Sequence, residues 1–220
     1  MSEQTADSQA VHLAVYDTLA DWEPGYAIAH INKPDWQKRP GRYRAVTVGA
    51  TADPITTAGG IRIIPDMALT DLNPAESAML ILPGSDSWAP TNSGDNAAFA
   101  RVAAEFLTAG VPVAAICGAT LGLAAAGLLN DRAHTSNAPE FVAMAPGYES
   151  ELYLDAPAVT DRGLITATAL APTEFARHIF AELDLYTPEV LEAWVDFFGH
   201  RNPAGFHRLM ASSGAGRPSA

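Results

Sequence analysis

Cys117 is the single cysteine of this 220-residue chain. It stands where Val111-Pro-Val-Ala-Ala-Ile116 gives way to Gly118-Ala-Thr-Leu-Gly-Leu123. The β-branched residues come first and the alanines and glycines follow, so the segment reads as a buried strand turning into a buried helix. A nucleophile on such a tight turn needs neighbours without bulk, and its side chain then points out of the end of the sheet. Free N–H groups and the positive end of the following helix lower a thiol pKa and can hold an oxyanion. The G-x-S-x-G elbow of α/β-hydrolases works the same way; here the residues are Ala115-Ile-Cys117-Gly-Ala119. A free cysteine is equally well placed as a small buried hydrophobe. Position alone leaves both readings open.

The histidines offer less. His12 falls within a core strand, His30 and His178 lie on helices, and His200 and His207 are near the end of the chain. No two have HxxxH or HxH spacing and no second cysteine exists, so no metal site is expected. Neither G-x-G-x-x-G nor a P-loop pattern occurs, and no cofactor is expected.

Strands and helices must alternate to carry that elbow. Val11 to Tyr16 reads as a first buried strand, and Asp21 caps a helix bearing Tyr26, Ile28 and Ile31. Tyr43 to Val48 alternates as a strand, and residues 55–57 and 61–64 flank the Gly59-Gly60 turn as a hairpin. Met79 to Leu82 is a buried strand ending at Pro83-Gly84. Asp95 to Ala109 carries a helical stripe closed by Gly110, and a helix follows Cys117 to about Leu129. A second hairpin brackets Asp161-Arg-Gly163, and residues 172–185 and 188–198 read as closing helices. Apolar strands alternating with helices imply a three-layer α/β/α sandwich with a mostly parallel central sheet. In such sheets sites form beyond the carboxyl ends of the strands.

At ~150 residues per domain the length suits one domain. The expected organisation is a flexible leader over 1–10, one domain over 11–200 and a flexible tail over 201–220. The net charge of −12 argues against nucleic-acid and anionic-membrane partners. From Thr108 to Asn130 no charge occurs and Gly118…Gly122 forms GxxxG, but Pro112 and the glycines argue against a membrane span. A lone thiol and a polar, acidic start suit the cytoplasm.

Ala114-Ala-Ile-Cys117-Gly-Ala-Thr, with Ala126-Gly-Leu-Leu-Asn-Asp-Arg132 and Thr135-Ser136, resembles the core of the ThiJ/PfpI family. That family lies within the class I glutamine amidotransferase-like superfamily, and the likeness points to a bacterial subgroup with a Cys-Gly-Ala-Thr elbow. Asp21-Trp-Glu23, Leu80-Ile-Leu-Pro-Gly84, Leu164-Ile-Thr-Ala-Thr and Thr173-Glu-Phe-Ala176 fall in the family's order, so the resemblance covers roughly 11–185. It implies a flavodoxin-like fold, a nucleophilic Cys117 and a protonated Glu23 bonded to its thiolate as general acid and base. Glu23 otherwise reads as an ordinary first-turn acid. The resemblance also places Gly84 and Ser85 opposite the cysteine, with Gly118, as an oxyanion hole. Trp88 either walls the pocket or packs its loop. Many family members carry a histidine where this chain has Asn137, and His134 either supplies an imidazole from a displaced position or faces elsewhere.

What the resemblance implies, then, is a cysteine-dependent hydrolase or lyase acting on small electrophiles such as 2-oxoaldehydes and their glycated adducts; a nitrile or isonitrile hydration is also chemically open. The competing reading is a redox or stress-responsive protein whose cysteine is oxidised. A glutamine amidotransferase is disfavoured because no histidine is followed two residues later by Glu, and a protease because the histidine is displaced. A small-molecule partner and a homodimer are expected. Trp194, Phe197 and Phe198, at i, i+3 and i+4, suit either the dimer surface or the core.

Overall fold

The computed structural model describes residues 8–89 and 96–214. Most of the expected leader, residues 90–95 with the expected helix start at Asp95, and the last six residues therefore lie outside the described residues. Seven strands form one sheet in the order β5-β2-β1-β6-β7-β9-β8. They are β1 (Gln9–Ala14), β2 (Tyr43–Gly49), β5 (Met67–Ala68), β6 (Ser77–Leu82), β7 (Val113–Ile116), β8 (Ala158–Asp161) and β9 (Leu164–Ala167). All pairings are parallel except β8 with β9. A two-stranded antiparallel hairpin, β3 (Ile55–Thr56) with β4 (Arg62–Ile63), stands apart from the sheet.

Parallel strands covered on both faces have no wet side, so β6 and β7 are fully buried from Met79 to Leu82 and from Val113 to Ile116. One face carries α1 (Gly25–Asn32), α5 (Pro172–Glu182), α6 (Pro188–Trp194) and α7 (Pro203–Gly214). The other carries α2 (Asn96–Thr108), α3 (Gly118–Ala125) and α4 (Pro139–Val142). The expected three-layer α/β/α sandwich is the observed one. The α2 stripe buries Phe99, Ala100, Ala103 and Phe106, and Gly110 closes the helix at φ 74°, where glycine costs least.

Several expectations change. Asp21 does not cap α1, whose N-cap is Pro24 with no side-chain bond. Residues 203–214 are helical, not part of a loose tail. Phe206, Leu209 and Met210 give α7 its i, i+3, i+4 stripe, and Leu209 is fully buried. A Cβ on Gly205 would meet the Ala193 carbonyl at 2.5 Å, so glycine is what lets α7 approach α6. The run expected over 188–198 is α-helical only to Trp194 and widens into a π turn over Val195–Gly199. Of its aromatics Trp194 is buried, while Phe197 and Phe198 are half-buried and pack against the core; His30 sits among Trp36, Phe180, Tyr186, Trp194 and Phe198. No helix among the described residues is long and apolar enough to cross a membrane.

The chain leaves β1 toward β2 on one side of the sheet and toward β6 on the other. The crevice where strand order reverses is where α/β sheets bind ligands. The loops after β1, β6 and β7 meet there.

Candidate active site

Cys117 follows β7 directly and its N–H still donates to Ala167 O at 3.0 Å, as if the strand continued. Its backbone then turns to φ 58°, ψ −125°, a strained conformation for a residue with a Cβ, costing on the order of 1–3 kcal/mol. The strain is held by small neighbours. A Cβ on Gly118 would meet Ser85 O at 3.0 Å and Trp88 Cβ at 3.3 Å.

Glu23 comes from the loop after β1. Its side chain is fully buried, and Oε2 accepts from the Gly84 N–H at 2.6 Å. Gly84 is where carboxyl and thiol meet: a Cβ there would lie 2.8 Å from Cys117 Cβ, 3.0 Å from Sγ and 2.9 Å from Glu23 Oε2. Any side chain would separate the two groups. Glu23 Oε1 is buried without a hydrogen-bond partner among the described residues. Burial raises this carboxyl to about 7, against the pull of the Gly84 N–H and the Cys117 thiol. The loop itself is pinned from outside. Thr18, at φ 61°, accepts from the Asp86 N–H at 3.0 Å, and Asp21 accepts from the Gly59 N–H of the hairpin at 2.7 Å.

The thiol departs from expectation. Burial first, and then the Glu23 charge, push Cys117 up to about 11, while Asn137 and the Gly118 N–H pull it down. The helix end offers the thiol one N–H, which is too little to offset desolvation and a neighbouring carboxylate. Burial thus favours the neutral form of both groups, and each partner's charge bears on the other.

Asn137 occupies the place expected for a pocket residue and does more. Its Nδ2 donates to Cys117 Sγ at 3.2 Å and its Oδ1 accepts from the Ala169 N–H at 2.9 Å. His134 is not brought to the thiol. It is fully buried, with Nδ1 bonded to the Arg132 carbonyl and Nε2 to the Tyr148 hydroxyl, each at 2.7 Å. Both ring nitrogens are thus committed, and its β-bridge to Tyr153 aligns it with a different segment. The candidate catalytic role of His134 does not fit this placement.

Of the expected oxyanion donors, the Gly84 N–H is spent on Glu23 and the Gly118 N–H acts on the Cys117 thiol. Trp88 packs its loop. It is buried, and a Cβ on Gly122 would lie 2.1 Å from its Cζ3, so the GxxxG pattern is a seat for this indole. Tyr16, which sequence reasoning passed over, bonds to Trp88 and to Pro83 beneath the site. Its one signal was a polar tip at the end of an apolar strand. Among the described residues no group of three His, Cys, Asp or Glu could hold a metal.

A mostly parallel α/β/α sandwich with a strained cysteine elbow and a buried carboxyl across a glycine turn defines the class of protein. The chain belongs to the DJ-1/PfpI family, whose model matches residues 9–182. It is 37% identical over 206 residues to YoaZ of Bacillus subtilis, an uncharacterized protease by name, covering 92% of this chain and 97% of that protein. Its structure is similar to a thiJ/pfpI family protein from Bacillus anthracis, with a TM-score of 0.85, 38% identity and coverage of 95% of this chain and 99% of that one. It is also similar to a DJ-1 superfamily protein from Agrobacterium tumefaciens, with a TM-score of 0.77, 31% identity and coverage of 88% and 100%.

Proposed function

We propose that the protein is a cysteine-dependent enzyme acting on small electrophilic carbonyl compounds, 2-oxoaldehydes foremost. The observation that carries this reading is the buried Glu23 carboxyl, poised at about 7, meeting the Cys117 thiol across Gly84. A base with a pKa near the working pH is the best compromise between accepting and returning a proton.

Ionised Glu23 takes the thiol proton as Sγ adds to the aldehyde carbon, and delivers it to the carbonyl oxygen to give a hemithioacetal. The Ser85 and Gly118 N–H groups steady the oxygen while it carries charge. Glu23 next removes the hydrogen of that carbon to give an enediolate and returns it to the adjacent carbon, while the hemithioacetal hydroxyl gives its proton to the adjacent oxygen, leaving a 2-hydroxy thioester. Water hydrolyses the thioester to a 2-hydroxy acid and frees the thiol. The net change is addition of one water, with no external oxidant or reductant.

A peptidase reading, which the name of the Bacillus subtilis relative invites, needs an imidazole to protonate a poor amine leaving group. Both nitrogens of His134 are bonded elsewhere, so activated carbonyls fit better. The reading takes a homodimer as the working unit, which sedimentation velocity tests.

The test is incubation of the purified protein with methylglyoxal and detection of lactate by NMR. Turnover is expected in the wild type, none in Cys117→Ser, and about 10²–10⁴-fold less in Glu23→Gln. Equal product in wild type and Cys117→Ser would overturn the proposal.

A further inference from the structure

The peptide unit joining Pro83 to Gly84 is gripped at both ends. Its N–H, on Gly84, donates to Glu23 Oε2 at 2.6 Å. Its carbonyl, on Pro83, accepts from the Tyr16 hydroxyl and from Trp88 Nε1 at 3.0 Å. The indole N–H is shared, reaching the Tyr16 oxygen at 3.0 Å as well. Tyr16 and Trp88 are both buried and meet edge to face, with centroids 5.7 Å apart.

An amide whose carbonyl receives two donors is polarised, and its N–H becomes the stronger donor. Such cooperativity adds about 10–30% per bond in a dry site. The two donors also fix the peptide plane, and with it the direction of the N–H. Gly84 leaves no alternative fastening on its side chain, and its own carbonyl is taken by the Ala20 N–H at 2.9 Å.

We infer that Tyr16 and Trp88 are positioning residues for Glu23: through the Pro83–Gly84 peptide they hold and strengthen the N–H that bonds its carboxylate, and so set the pH at which Glu23 can take the thiol proton. This rests on the reading of Glu23 as the base for Cys117. The titratable groups that bear on Glu23 are Cys117, from the elbow, and Tyr16, from the end of β1. Asp21, on its own loop, is turned to the Gly59 N–H. Burial holds the Tyr16 phenol well above its ordinary range, so it stays neutral and acts as a donor.

Packing alone is the competing explanation, and Tyr16→Phe separates the two because it keeps the ring and removes the donor. The readout is the rate of Cys117 alkylation by iodoacetamide between pH 5 and 9, with far-UV CD and Tm as fold controls. In the wild type the rate rises in a step as Glu23 ionises, and Glu23→Gln removes that step. In Tyr16→Phe the weakened N–H stabilises the carboxylate less, so the step moves up by roughly 0.3 pH unit or more. Tyr16→Phe in the Glu23→Gln background is expected to match Glu23→Gln alone. Trp88→Phe removes the second donor from the same carbonyl and shifts the step in the same direction, which keeps the test available if Tyr16→Phe does not fold. A lowered Tm with the step unmoved would overturn the inference while leaving Glu23 as base. A wild-type profile that Glu23→Gln does not alter would instead remove the base reading, and the inference with it.

Discussion

Asn137 Nδ2 donates to Cys117 Sγ across 3.2 Å, while Oδ1 of the same amide accepts from the Ala169 N–H at 2.9 Å. The second bond fixes the orientation of the amide, because only the nitrogen can then face sulfur. A neutral donor steadies a developing thiolate without offering a base of its own, so proton transfer falls to Glu23. Asn137→Ala is expected to raise the thiol pKa further and to slow alkylation at pH 8, with the Glu23-dependent step still present. A faster reaction would show that the amide shields the sulfur and does not activate it.

Glu23→Gln should separate reactivity from turnover. Removing the carboxylate takes away the charge that helps to hold Cys117 at about 11, so the thiol pKa falls toward the ordinary range. Turnover falls nonetheless, since the base is gone. Iodoacetamide titration and a product assay on one sample check both signs.

The same substitution carries a stability signature. Burial raises Glu23 to about 7 from an unfolded value of 4.5. The stability tied to its protonated form is therefore fully present below pH 4.5 and is lost as pH rises through 7. The penalty above pH 7 is on the order of 3 kcal/mol. Urea denaturation should find Glu23→Gln gaining on the wild type between pH 5 and pH 8, and a pH-independent difference would contradict the raised carboxyl.

His30 titrates in the opposite sense. Burial holds it at about 4, below its ordinary 6.5. Trp194 Nε1 donates to its Nε2 at 3.1 Å, and Tyr186 bonds its Nδ1 at 3.1 Å. The stability this provides is present above pH 6.5 and is lost as pH falls through 4, on the order of 3 kcal/mol in all. His30→Leu, which leaves both hydroxyl and indole unpaired, should be less stable at pH 7 and show a flatter decline from pH 6.5 to 4. A parallel decline in the two proteins would place the acid sensitivity elsewhere.

Gly122→Ala tests the seat of Trp88. The new methyl would stand 2.1 Å from Cζ3, so the indole must move and its Nε1 loses Pro83 and Tyr16. A loss of about 1–3 kcal/mol is expected, read from thermal melts, and Trp88→Phe should recover part of it by shortening the ring. An unchanged Tm would mean that α3 shifts instead.

Sequence by itself determined the layers and the elbow. Apolar runs such as Met79–Leu82 and Val113–Ile116, bounded by turn signals, read as buried strands, and the small residues around Cys117 suit a tight turn, because backbone sterics and hydrophobic period are local properties. The resemblance added Glu23, which lies buried across Gly84 from Cys117. Tertiary structure alone decided the proton inventory. Whether the thiol is low or high depends on desolvation and on a carboxylate brought from a loop 94 positions earlier, a contact no local pattern contains. The same holds for His134, turned to Tyr148 by the pairing of its strand segment with Tyr153, and for the Pro83–Gly84 peptide, which Tyr16, Trp88 and Glu23 reach from separate parts of the chain. Hydrogen-bond direction is fixed by where donors end up in space, and it was there that the structure departed from the sequence.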